Sequence, residues 1–355
     1  MSKINKIFVG LVILTFVVFL IPVSIGVLAP YIPLTLAFQA QLIPPLLLPF
    51  ALVALGFLLF FVRHKKAFWA TASLAICALL AWPLSREIRP GINRADTGPE
   101  DIRVISYNVA SFHFEDQQIR RVASLLASQH ADVIALQEFR NHSMANGRQA
   151  LAFLAAELDM PHYQFKHLPQ HIHGAVIFSK HPIESLEVLY LPAKEINSGV
   201  LATLRTPQGP LGVATMHLSS YQMREVVESR NQGDRWHMLK GIYRRYREVL
   251  PRQQEKVNQV LHKVADYPHP LVITGDFNSV PHSRIVEPFR QRFVDSFTAA
   301  GKGFGWTYPL LGAAFGLRID YQFCTEDLRP LQHQVIREEP SDHFPIMVSY
   351  RLTHP

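Results

Sequence analysis

The sequence predicts an α/β domain carried behind an apolar N-terminal region. Three observations lead there. Short apolar runs rich in β-branched residues recur along residues 102–352, and most of them have an Asn, Asp, Glu or His beside one end. Segments with apolar residues at helical spacing lie between them. Upstream of residue 85 the chain instead holds long runs without a charge. Strands that alternate with helices and collect polar side chains at their ends favour an α/β fold with its site along one edge.

The 355 residues carry a net charge of +7, but the excess is local. Residues 1–95 hold eight Lys or Arg and one acidic residue, whereas residues 96–355 hold 27 of each sign. The C-terminal part thus lacks the overall basic balance of a duplex-binding protein. Its two cysteines, Cys77 and Cys324, imply neither a disulfide framework nor a thiolate metal site.

No charge interrupts residues 7–28, 42–62 or 68–84. The first two runs suffice to cross ~30 Å of hydrocarbon at ~1.5 Å per residue. Trp69 and Trp82 lie near the ends of the third, where an aromatic belt would sit. The expectation is a membrane anchor over residues 1–84 with three transmembrane helices, a linker over 85–100 and a catalytic domain over 101–355. Lys3, Lys6 and the Arg63–Lys66 loop place the N-terminus inside by the positive-inside bias. A multi-pass protein of the cell inner membrane follows, with its C-terminal domain extracytoplasmic and the bilayer as a partner. No protein partner is evident.

In the C-terminal part, IRVISY at 102–107 reads as a strand ending on Asn108. Ile119, Val122, Leu125 and Leu126 mark an amphipathic helix within 116–129. ADVIALQE is a strand delivering Glu138; GAVIFS at 174–179 is another, with His171 and His173 before it; LGVATMHL delivers His217. A helix with Pro251 in its first turn buries Val257, Val260, Leu261 and Val264. LVITGDFN is the most informative stretch: four apolar or β-branched residues, a Gly that ends the strand, then Asp276 and Asn278 on one side of an extended backbone. RIDYQF carries Asp320, and SDHFPIMVSYRL presents Asp342 and His343 before a final strand.

Carboxylates, amides and two histidines, without a cysteine cluster, suit a hard cation such as Mg²⁺, or Mn²⁺. Such a set can polarise a phosphoryl oxygen while Asp or His takes a proton from water. His343 beside Asp342, with Asp320 to fix its tautomer, is a base and orienter pair. Metal-assisted hydrolysis of a phosphoester follows from these residue types.

The motifs ISYNV, ALQE, ATMHLSS, TGDFNSVP, RIDY and SDHFPI occur in this order over 102–352. In this they resemble the endonuclease/exonuclease/phosphatase superfamily. The resemblance implies a four-layer α/β/β/α sandwich, deoxyribonuclease I-like, with the site at one end. It implies Glu138 as the principal metal ligand, helped by Asn108 and Asp342. Asp276 would orient or deprotonate the nucleophile, Asn278 would contact the scissile phosphate, and His343, held by Asp320, would act as base or phosphate stabiliser. His217 would assist the leaving group or the transition state. His173 and Trp306, the latter from the patch Phe304, Trp306 and Tyr308, are candidates to line the substrate pocket.

The expected activity is Mg²⁺-dependent hydrolysis of a phosphodiester or phosphomonoester in a phospholipid, nucleic acid or small phosphate ester. The neutral balance of residues 96–355 favours lipid or a small molecule over duplex DNA. The alternatives are a nuclease acting on extracytoplasmic DNA or RNA, and a non-catalytic binding domain on the same fold.

Overall fold

A computed structural model describes residues 44–91, 95–167, 173–190, 197–221, 235–309, 316–338 and 340–353. The chain divides into two compact units: residues 1–88 with 280–287, and residues 89–279 with 288–355.

In the first unit, α1 (Pro44–Arg63) and α2 (Ala67–Glu87) occupy the second and third expected spans. They turn at Lys65, whose φ is 53°, and the rings of Phe61 and Trp69 stack across the turn at 6.0 Å. The expected span at 7–28, the connection after it and His171 lie outside the described residues. Among the described residues no helix is long and apolar enough to cross a membrane, so three transmembrane helices are not supported there. The last turn of α2 is polar, and its Arg86 pairs with Glu287 at 3.0 Å. Helix also runs into the segment expected as linker, as far as Glu87, and a short strand follows at Ile88–Pro90.

The second unit is built from two six-stranded mixed sheets. The first contains β1 (Ile102–Asn108), β2 (Val133–Arg140), β3 (His162–His167) and β4 (His173–Ser179). The second contains β5 (Ile183–Tyr190), β6 (Gly199–Thr206), β7 (Gly209–His217), β8 (Leu271–Asp276), β9 (Val294–Asp295) and β10 (Asp320–Cys324). The chain returns to the first sheet with β11 (Leu328–Val335) and β12 (Ile346–Leu352). The strand orders are β11-β12-β1-β2-β4-β3 and β9-β10-β8-β7-β6-β5. Each sheet has one parallel pair at its centre, β1 with β2 and β7 with β8, and antiparallel pairs elsewhere.

Strand parity decides what faces what. In β1, Ile105 and Tyr107 join the outer core with α3 (Asp116–Ala127) and α4 (Ala150–Glu157), while Ile102 and Val104 join the core between the sheets. The same alternation puts Val133 and Ala135 of β2, Leu211 and Val213 of β7 and Val272 of β8 into the inter-sheet core. Further along these inward faces stand Asn108, Gln137, His217 and Asp276. The polar site is therefore the continuation of the inter-sheet core toward the strand tips.

Gln137 bridges the sheets, its Nε2 lying 3.0 Å from Ser106 Oγ and 2.8 Å from Thr215 Oγ1. Gln322 does the same from the other side, donating to the carbonyls of Val104 (3.0 Å) and Ile346 (3.1 Å). The helix expected to start at Pro251 is α5 (Arg235–Val264), with Pro251 inside it. Tyr246, Val249 and Leu250 before the proline and Val257, Val260 and Leu261 after it are all buried, and this continuous apolar stripe outweighs the one hydrogen bond that a proline removes.

Candidate active site

The two parallel pairs end in register. Asn108 stands opposite Gln137, His217 opposite Asp276, and Asp276 opposite Asp320 on its other side. Strand pairing alone thus brings His217 and Asp320, 103 positions apart, to one sheet end.

Two departures from regular strand shape the site. Glu138 has φ +50° where the β2 register shifts between Leu136 and Phe139, so a bulge turns its side chain out of the strand alternation and leaves it partly exposed. Asn278 has φ +48°, which folds the chain back so that its backbone N–H donates to Asp276 Oδ1 at 2.7 Å. Gly275 was expected to end its strand; instead β8 runs through it to Asp276, and Gly275 serves a close approach. Its φ is +133°, and a Cβ there would lie 1.9 Å from the carbonyl oxygen of Met216.

Asp276, fully buried, is the hub. Its Oδ2 accepts from Asn108 Nδ2 and from Asn278 Nδ2, both at 3.0 Å, and lies 3.7 Å from His343 Nε2 and 3.8 Å from His217 Nε2. Burial pushes its carboxyl up to about 8, with His343 pulling down and Asp320 adding to the rise. His343 Nδ1 is 3.0 Å from Asp320 Oδ2. Burial alone would depress that imidazole, but Asp320, Asp276 and the hydrogen bond outweigh it and raise His343 to about 10. Burial keeps His217 below its ordinary value, against the pull of Glu138.

Asn108 links two carboxylates, since its Nδ2 also donates to Glu138 Oε1 at 3.0 Å while its Oδ1 accepts from the Ala110 N–H. It would offer oxygen to a cation only with the amide turned over. Glu138 Oε1 lies 3.4 Å from His217 Nε2. Asp342 is half-buried; the Ser341 hydroxyl beside it reaches the Asn108 carbonyl at 2.8 Å. Among the described residues, Asp276, Asp320 and His343 form a group whose ligand atoms all lie within 4.8 Å of one another and could hold a metal ion.

His173 opens β4 opposite Arg140, two positions beyond Glu138. Trp306 is buried and stacks on Phe304 at 4.5 Å, so it packs the loop. From the same stretch it is Tyr308 that meets the site, its ring edge-on to His343 at 5.1 Å.

Three residues escaped the sequence reading. Thr307 Oγ1 accepts from the N–H groups of Ile319 (3.2 Å) and Asp320 (3.1 Å), and its carbonyl accepts from Phe344 at 2.7 Å, so one residue fastens both members of the Asp320–His343 pair. Asn197 holds His217. Ser341 ties the last loop to β1. All three are loop residues, and polarity next to a strand was their only signal.

Among curated protein sequences none matches the chain. Solved structures share its fold: an endonuclease/exonuclease/phosphatase from Beutenbergia cavernae at 22% identity, covering 71% of this chain and 72% of that one, TM-score 0.50. A humanised D. rerio TDP2 is similar at 17% identity over 71% of this chain and 99% of that one, TM-score 0.53. The human nocturnin catalytic domain, with bound sulfate, is similar at 16% over 75% and 99%, TM-score 0.52. The profile of the endonuclease/exonuclease/phosphatase family matches residues 105–343, two thirds of the sequence, and it spans every strand tip of the site. The chain belongs to the endonuclease/exonuclease/phosphatase family, whose members are hydrolases of phosphoester bonds.

Proposed function

We propose that the domain hydrolyses a phosphodiester by attack of an activated water, assisted by a divalent cation. The observation that carries this reading is the chain Asp320–His343–Asp276, buried next to the half-exposed Glu138 and two asparagine amides. Two register-paired carboxylates beside a third are costly to bury with so few cations near them, and an oxygen-rich set without thiolates fits Mg²⁺ or Mn²⁺. Glu138, with Asn108 and Asp342, would hold the ion, which would polarise the phosphoryl group and steady the leaving oxygen.

The remaining work falls to the chain itself. Asp276, raised to about 8 by burial, is suited to take the water's proton. His343, kept protonated by Asp320, would donate through Nε2 to a phosphoryl oxygen. Asn278, its amide already at the tip, would orient the phosphate, with His173 and Tyr308 toward the rim.

The substrate we propose is a lipid headgroup or small phosphodiester, on the neutral charge of residues 96–355. We further propose that residues 1–84 anchor the domain to the inner membrane with the site outside the cytoplasm, the uncharged run at 7–28 being long enough to cross. The uncharged runs support this, as do Leu59 and Phe68, 64% and 75% exposed in the helical unit. The test is hydrolysis of bis(p-nitrophenyl) phosphate, p-nitrophenyl phosphate, sphingomyelin and supercoiled DNA with and without Mg²⁺. Turnover of the diesters ahead of the monoester is expected. Fast DNA cleavage that salt abolishes would replace the lipid reading with a nuclease, and no turnover by folded protein would contradict the proposal.

A further inference from the structure

One buried side chain outside the strand tips acts on the site through a single atom. Asn197, 8% exposed, sends Nδ2 to two acceptors: the carbonyl of Leu218 at 3.0 Å and Nδ1 of His217 at 3.2 Å. The first contact settles the amide's orientation, because a carbonyl oxygen only accepts and the group facing it must be the NH₂. The second N–H of that NH₂ then donates to His217, which makes Nδ1 an acceptor and leaves the ring's proton on Nε2.

That Nε2 is buried and makes no hydrogen bond among the described residues, although it lies 3.4 Å from Glu138 Oε1 and 3.8 Å from Asp276 Oδ2. A buried N–H left without an acceptor costs free energy that a ligand oxygen in the site would return. The backbone of the same residue is held from the other side, where Tyr190 Oη donates to the His217 carbonyl at 2.9 Å.

We infer that Asn197 is a positioning residue that locks His217 in its Nε2–H tautomer, so that this histidine delivers one fixed hydrogen bond to a phosphoryl or leaving-group oxygen. An aspartate at 197 would do the opposite, since a carboxylate accepts and would draw the ring's proton to Nδ1. The kinetic half of the inference rests on the phosphoesterase reading; the tautomer does not.

The experiment is a ¹⁵N–¹H correlation of the imidazole nitrogens in the full chain, with His217 assigned through His217→Gln, run beside the kinetics of Asn197→Asp. In the unsubstituted chain, His217 should carry its proton on Nε2 and none on Nδ1. In Asn197→Asp a proton should appear on Nδ1, and kcat on bis(p-nitrophenyl) phosphate should fall about 10²-fold at unchanged KM, the scale of one lost transition-state hydrogen bond. A proton on Nδ1 in the unsubstituted chain would overturn the inference. So would an Asn197→Asp variant that keeps both tautomer and kcat. If the unsubstituted chain hydrolyses nothing, the phosphoesterase reading falls, while the spectrum still decides the role of Asn197.

Discussion

Replacing Thr307 by valine keeps the shape of the side chain and deletes one oxygen. That oxygen accepts two buried backbone N–H groups, from Ile319 at 3.2 Å and Asp320 at 3.1 Å. Valine puts a methyl group against both. A buried donor stranded in this way costs on the order of 1–3 kcal/mol, and with both bonds on the long side the pair should cost about 3 kcal/mol. The loss reaches chemistry as well. Asp320 sits at the first residue of β10, and freeing its N–H lets its carboxylate drift from His343, 3.0 Å away. A misplacement of about 1 Å is worth roughly 10²-fold in rate. Urea denaturation gives the first quantity and kcat on bis(p-nitrophenyl) phosphate the second, with Thr307→Ser as the variant that keeps the oxygen. A Thr307→Val protein within about 0.5 kcal/mol of the unsubstituted chain, the ordinary scatter of neutral substitutions, would refute the reasoning.

Two further outcomes follow from backbone and burial. Gly275→Ala would press a Cβ to 1.9 Å from the Met216 carbonyl oxygen at φ +133°, and should cost more than about 4 kcal/mol and leave little folded protein. Gly209→Ala, at φ +119° with open space around it, should cost only about 1 kcal/mol, as thermal melts of the two would show. His333 is buried, its Nδ1 2.9 Å from Ser296 Oγ; burial and then Arg318 drive it down from 6.5 to about 3, with Asp295 opposing. The unfolded chain thus binds a proton that the folded chain refuses, so this stability is present above pH 6.5 and is lost as pH falls toward 3. Between pH 7 and 4.5 the unsubstituted chain should lose about 3 kcal/mol more than His333→Gln, at about 1.4 kcal/mol per pH unit, read by urea denaturation at both pH values.

Much of this site was legible because strand physics writes it into the sequence. A period of two places Asn108, His217 and Asp276 on the inward faces of their strands, and an apolar run that stops at a polar residue marks the tip. The parts that were not legible depend on contacts at long range. Glu138 leaves the alternation at a bulge for which the run VIALQE carries no mark. Thr307 and Asn197 act from loops through single oxygen and nitrogen atoms, and nothing in their neighbours distinguishes them from other loop residues. Pro251 misled because its helix is held by burial on both sides of it rather than by local propensity. Trp306 stood out as an aromatic candidate for the substrate, but the fold turns it inward and presents Tyr308.

The central claim is that these carboxylates and histidines hydrolyse a phosphoester with a divalent cation. Its most direct measurement is the rate on bis(p-nitrophenyl) phosphate of the chain stripped with chelator, then titrated with Mg²⁺ and Mn²⁺, beside Asp276→Asn and Glu138→Gln. The expected result is activity restored by added metal in the unsubstituted chain, loss of at least about 10³-fold in Asp276→Asn, and a higher metal requirement in Glu138→Gln. Undiminished hydrolysis after stripping, or activity surviving Asp276→Asn in folded protein, would contradict it.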